Sequence, residues 1–320
     1  MATTVNEVSM FVKVFGGAGF VGNHLVKKLL SEGHDVTVFD MKKPKVLGAN
    51  VYDPTKGETS WYNKAKFIGG DVTDYKQVYY AISRGDFVVN LAAVALFAPA
   101  EQDPHITASV NVAGAVNVMK ACIENKAAHL VYTSTGSVYS TLAKPPFDEM
   151  QPVEYSSNSM YGMSKLFAET AIRHYTDKQS LTILRLPHVI GPGKFWGANT
   201  FIVKLLAGER PVIFGDGLNK NDFTYVEDVV QAIELALKKQ AQGVFNIGSG
   251  ASRTTHDFLN IARQCTDRMD ITPSFAPARG VDFPVFEYDI TKAKKELGYN
   301  PKFTLEQAIQ KTCLEWNQWL

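Results

Sequence analysis

Cysteine is scarce in this 320-residue chain. Cys122, Cys265 and Cys313 are the whole complement, far apart and without metal-ligand spacing. So odd and sparse a set excludes a disulfide framework or a cysteine-built metal site, and it fits buried thiols in a reducing, cytoplasmic setting. An excess of either charge is lacking too: 33 Lys and Arg meet 32 Asp and Glu, for a formal net charge of +1. Nothing electrostatic therefore argues for a nucleic-acid partner or an anionic membrane surface. No apolar run approaches the roughly 18 residues of a membrane span. Met1 to Met10 lacks the basic and apolar regions of a signal peptide. Internal repeats and low-complexity linkers are missing as well. What remains is 45% hydrophobic and 20% charged, the composition of a globular protein long enough for one large domain or two unequal ones.

A β-rich run, Phe11-Val12-Lys13-Val14-Phe15, leads straight into Gly16-Gly17-Ala18-Gly19-Phe20-Val21-Gly22. An apolar helical pattern follows at Leu25, Val26, Leu29 and Leu30 and stops at Gly33. Strand, glycine turn and helix is the setting a dinucleotide site requires. Gly16 permits the tight turn, Gly19 lets the backbone approach a pyrophosphate, and Gly22 lets helix and strand pack closely. The helix start, at Phe20 and Val21, offers its free N–H groups to the phosphates. The next strand, Asp35 to Phe39, ends in Asp40, roughly 20 residues beyond the glycines, where a carboxylate accepts from an adenosine ribose and repels a 2′-phosphate. NAD is therefore expected over NADP, a preference that Lys42 and Lys43 would soften. Residues 41 to 65 read as a long polar surface loop.

Lys66-Phe67-Ile68-Gly69 resumes as a strand and runs into Gly70-Asp71-Val72. Strands are also expected over Asp86 to Ala93, Leu130 to Thr135 and Leu181 to Pro187, with a helix over Ser109 to Asn125. This alternation predicts an α/β, Rossmann-type fold, a doubly wound parallel sheet with its ligand site at the carboxyl ends of the strands. Next to Leu91, Ala92 and Ala93 are small enough for a cofactor to lie close. Thr133, Ser134, Thr135 and Ser137 arrive at the same end, upstream of Tyr161-Gly162-Met163-Ser164-Lys165. On a helix Tyr161 and Lys165 share one face, and a nearby cation favours the phenolate over a free pKa of about 10. Such a pair can draw the proton from a substrate hydroxyl while hydride leaves the same carbon. A hydroxyl at that strand end can hold the substrate oxygen and the tyrosine in line.

Taken together, these segments resemble the extended short-chain dehydrogenase/reductase superfamily, in its NAD-dependent epimerase/dehydratase type, over nearly the whole chain. Asp71-Val72 matches that family's adenine-contacting pair, Asn90-Leu91-Ala92-Ala93 its cofactor-flanking segment, and Asn111-Val112-Ala113-Gly114 its Asn-x-x-Gly helix. The resemblance implies NAD as cofactor and Thr135, Tyr161 and Lys165 as the catalytic set. Lys165 would hold the nicotinamide ribose and lower the Tyr161 pKa, Tyr161 would exchange the hydroxyl proton, and Thr135 would polarise the carbonyl oxygen. It also implies a cofactor domain over residues 1–186, to which the chain returns at about 220–248. A smaller C-terminal α/β substrate domain would occupy 187–320, and the Asn111 and Tyr161 helices would join two copies as a homodimer. Neither a metal nor a membrane span is implied.

Pro187-His188 begins the departure from the sheet, beside the cofactor. His188 stands where sugar-nucleotide enzymes carry an Asn on the substrate diphosphate, and Asn221 replaces an expected phosphate-binding Arg. Phe214 takes the nucleotide-base position, and Arg279, ten residues before Asp289, fits the second phosphate-binding arginine. A nucleotide-diphospho-sugar is the expected substrate, handled by C4-epimerase chemistry. The alternative is a dehydrogenase of a hydrophobic alcohol, resembling the 3β-hydroxysteroid and sterol-carboxylate dehydrogenases, through the run Asn219 to Glu227. A third reading, a regulator that binds NAD(H) without turnover, conflicts with the intact Thr135/Tyr161/Lys165 set.

Overall fold

A computed structural model describes residues 9–41, 64–95, 97–154, 159–278 and 284–317. Val12, Val14 and Phe15 are fully buried, and β1 (Phe11–Phe15) is an interior strand of a seven-stranded sheet. On one side of it lie β2 (Asp35–Asp40) and β3 (Lys66–Gly69). On the other lie β4 (Phe87–Asn90), β5 (His129–Thr135), β6 (Leu181–Leu186) and, from much later in the chain, β10 (Gly243–Asn246). Every pairing is parallel. Chain order therefore reverses between β1 and β4, and the crevice beyond their carboxyl ends is the natural ligand position.

Side chains alternate across each strand, so neighbours feed different cores. Val89 and Val131 join the core under α1 (Phe20–Ser31) and α6 (Val226–Lys239). Val88 and Leu130 join the core under α2 (Tyr75–Ala81), α3 (Pro104–Asn125) and α4 (Met160–Arg173). The sheet is thus covered on both faces, as its apolar runs predict. Asp103 starts α3 by accepting from Ile106 N at 2.9 Å, so the helix begins earlier than the expected Ser109. β4 is shorter than the expected 86–93 run because Asn90 Oδ1 accepts from Ala92 N at 3.1 Å and turns the chain. Helix α3 has the length and composition of a membrane span, but Gly114, Ala115, Val118, Met119, Ala121 and Cys122 are buried on its sheet-facing side.

After β6 the chain builds a second layer. β7 (His188–Ile190) and β13 (Val285–Phe286) pair parallel with β9 (Lys220–Tyr225), and β11 (Ser252–Thr254) pairs antiparallel. β8 (Val212–Phe214) and β12 (Ser274–Ala276) form a small parallel ladder. Helices α5 (Asn199–Leu206), α7 (Thr255–Cys265) and α8 (Leu305–Asn317) accompany these strands. A capping box fixes the start of α7, where Thr254 and Asp257 each accept the other's backbone N–H at 3.0 Å. All three cysteines are free.

Candidate active site

The expected cofactor residues follow the carboxyl ends of successive parallel strands: Gly16 after β1, Asp40 at the end of β2, Asp71 after β3, Leu91 after β4, Thr133 and Thr135 in β5, and Pro187 after β6. Gly16 has φ +74°, and a Cβ there would lie 2.7 Å from Ala92 N. The turn after β1 can thus meet the chain leaving β4. A Cβ on Gly22 would lie 2.5 Å from Gly16 O, so the close packing at Gly22 is between helix and turn rather than helix and strand. At the start of α1, Gly19 supplies no side-chain cap and the first turn carries no acid, which leaves N–H groups for an anion. Half-buried Phe20 and Val21 open the helix.

Asp40 Oδ2 accepts from Ala18 N at 3.1 Å, which sets a carboxylate at the edge of the glycine turn. Asp71 Oδ1 accepts from Thr73 N at 2.8 Å. Val72 is buried against α3, where a Cβ on Gly114 would lie 2.7 Å from Val72 Cγ2. Leu91, Ala92 and Ala93 are half-buried, and Thr133 Oγ1 donates to Asn90 O at 3.3 Å, which ties β5 to β4. An uncapped helix start, a turn with no room for a Cβ and a carboxylate beside it fit a dinucleotide.

Ser159 caps α4 by accepting from Gly162 N at 2.9 Å, so the helix begins just before Tyr161. The Thr135 hydroxyl lies beside the Tyr161 phenol and favours its ionised form, and Thr135 Oγ1 accepts from Ser137 N at 3.2 Å. Protein crowds the half-buried phenol, and this desolvation raises the Tyr161 pKa to about 12 against the opposing effect of the Thr135 hydroxyl. Lys165, 2% exposed, points its ammonium over the Tyr132 ring, 4.3 Å from the centroid. Burial lowers its pKa to about 7, while the Glu169 carboxylate pulls it upward. The expected depression of Tyr161 by Lys165 is therefore not seen in this arrangement. The ammonium engages Tyr132, and burial dominates at the phenol.

Reading the sequence missed the supports. Asn111, in a π-turn of α3, donates to Ser164 Oγ at 2.8 Å and holds Val94 through both its N–H (2.7 Å) and its carbonyl (3.1 Å). Ser164 in turn donates to Tyr161 O at 2.8 Å. One turn beyond Lys165, Glu169 receives Arg185 at 3.2 and 2.8 Å in a buried bidentate pair. The Asn111-x-x-Gly114 pattern and the Lys165–Glu169 spacing were the local signals available.

On the far side, His188 is exposed to the cleft between the rings of Phe223 and Phe286, each 6.0 Å away. Protein surrounds its other sides, and that desolvation, with the Lys194 ammonium, holds its pKa below the usual value. Phe214 is 44% exposed at the end of β8. Asn221 lies in register with Arg253 and Phe286. Arg279, Lys42 and Lys43 lie outside the described residues. No cluster of metal ligands occurs among the described residues.

Comparison with known proteins agrees with this fold. The model of the NAD dependent epimerase/dehydratase family matches residues 12–248. A UDP-glucose 4-epimerase of Mycolicibacterium smegmatis is 30% identical over 308 residues, 93% of this chain and 96% of that protein. The structure of UDP-glucose 4-epimerase with UDP-glucose from Thermotoga maritima superposes with a TM-score of 0.86 at 30% identity, covering 97% of this chain and 99% of that one. The Thermus thermophilus UDP-glucose 4-epimerase complex with NAD gives a TM-score of 0.83 at 27% identity, covering 96% and 99%.

Proposed function

The chain belongs to the NAD dependent epimerase/dehydratase family, and on that premise we propose that it is an NAD-dependent C4 epimerase of a nucleotide-diphospho-sugar. The observation that carries the chemistry is the placing of the Thr135 hydroxyl beside Tyr161 at the end of β5, with Lys165 one helical turn on. Whole-length similarity to UDP-glucose 4-epimerases, second layer included, supports the substrate class.

Bound NAD supplies the hydride acceptor. Asp40 accepts from its adenosine ribose, and the α1 start receives its phosphates. Lys165 holds the nicotinamide ribose. Tyr161 takes the proton of the sugar hydroxyl and later returns it, while Thr135 holds that oxygen in line. Phe214 offers a face to the nucleotide base, and His188 stands by the diphosphate. Residues 1–186, with α6 and β10, form the cofactor domain, and most of 187–320 forms the substrate domain. Ile106 and Phe167, exposed on α3 and α4, suit a two-fold contact between copies.

A second reading, oxidation of a hydrophobic alcohol, draws on the aromatic walls around His188. A melting panel on NAD-saturated protein separates the two. A ligand at about 100 times its Kd stabilises by roughly 2.7 kcal/mol. A shift with UDP, or with another nucleoside diphosphate, supports the epimerase. A shift with a hydroxysteroid alone replaces it by the dehydrogenase.

A further inference from the structure

The chain leaving β6 doubles back across the start of α1, and three contacts hold it there. Gly191, at φ +154°, has no space for a side chain. A Cβ there would lie 2.6 Å from Val226 Cγ1 and 3.3 Å from the Phe20 ring. Pro192 O accepts from His24 Nε2 at 3.0 Å, and burial lowers the His24 pKa. Lys194 Nζ donates to Val189 O at 2.9 Å and stands 5.4 Å from the centre of the Phe20 ring.

Lys194 is half-buried, and its remaining ammonium N–H groups have no protein partner among the described residues. Desolvation lowers its pKa to about 8, with no carboxylate among the described residues opposing the shift. A partly desolvated ammonium with N–H groups to spare gains a charge-assisted bond from an anion that binds beside it. Its surroundings give the class of anion. Phe20 is the first residue of α1, whose start has neither a side-chain cap nor an acid. His188, whose pKa Lys194 helps to lower, faces the same cleft. A helix start, an ammonium and an imidazole around one space suit a diphosphate.

We propose that Lys194 is a diphosphate ligand of the cleft, held over α1 by the Gly191, Pro192 and Val189 contacts. It supplies a cation on a cleft where Asn221 supplies none. The inference rests on the epimerase reading for one of its two sources of diphosphate, the nucleotide-sugar. The other source is the cofactor itself.

Calorimetric titration of wild-type, Lys194→Met and Lys194→Arg proteins tests it in two arms: NAD into protein free of nucleotide, and UDP into NAD-saturated protein. Loss of a charge-assisted bond should weaken one ligand by about ten- to hundredfold in Lys194→Met, with Lys194→Arg close to wild type. Weakened NAD binding assigns Lys194 to the cofactor diphosphate, and weakened UDP binding alone assigns it to the substrate. Unchanged affinity in both arms overturns the proposal, as does an equal loss in Lys194→Arg. Melting curves identify a misfolded variant, in which case Lys194→Gln is titrated in its place. If wild-type protein ignores UDP, the sugar-nucleotide reading fails and Lys194 is judged on the NAD arm alone.

Discussion

The Lys165 ammonium stands 4.3 Å above the centre of the Tyr132 ring. Both residues are buried, and the Tyr132 hydroxyl has no hydrogen-bond partner among the described residues. A desolvated cation over an aromatic face gains on the order of 2 kcal/mol, which offsets part of the penalty of burying the lysine. The Glu169 carboxylate one turn away adds to this. Lys165 is thereby kept near the protonation boundary, with its pKa lowered to about 7.

That depression has a stability consequence. In the unfolded chain the lysine titrates at about 10.4; in the folded protein free of cofactor it titrates at about 7. Between these values the unfolded state binds the extra proton, so stability attributable to this group rises with pH. Below pH 7 the burial penalty is fully present. Lys165→Met should therefore be more stable than wild type at pH 6, with the gap closing as pH rises toward 10. Urea denaturation of both proteins across that range, without nucleotide, checks it; a gap that does not vary with pH would reject the assigned shift.

Tyr161→Phe removes the phenol and keeps the ring. Turnover should fall by about a hundred- to ten-thousandfold, with NAD affinity and melting temperature near wild type. Steady-state kinetics decide the matter, and near-normal kcat would take Tyr161 out of the proton-transfer role.

Asp40→Ala removes the carboxylate beside the glycine turn, along with its bond to Ala18 N. The ratio of kcat/KM for NAD over NADP should drop by about tenfold or more, since the repulsion of a 2′-phosphate goes with it. An unchanged ratio would mean that the ribose is read elsewhere.

Glu169→Gln leaves Arg185 charged, 2% exposed and short of its partner. Breaking a buried pair in this way costs about 3–5 kcal/mol, whereas replacing both members by apolar residues recovers much of the loss. Denaturant titration of Glu169→Gln and of Glu169→Leu/Arg185→Met should show that order. A loss in the single variant of under about 1 kcal/mol would remove the pair from the stability of the fold.

The sequence by itself determined what local spacing can carry. Alternating β-rich and helical runs specified the parallel sheet, and the strand–glycine–helix order around Gly16, Gly19 and Gly22 located the nucleotide turn. The Tyr161–Lys165 spacing placed both residues on one helix. Side-chain period and turn chemistry are short-range properties, so residues near in sequence suffice to read them. Tertiary structure alone decided which way the groups face. Asn111 and Ser164 meet across 53 residues and His24 and Pro192 across 168. Lys165 turns to Tyr132, Arg185 seeks Glu169, and Lys194 comes to lie over α1. Each of those contacts depends on which elements become neighbours, and that choice is made by burial of the two apolar faces of the sheet, not by any spacing along the chain.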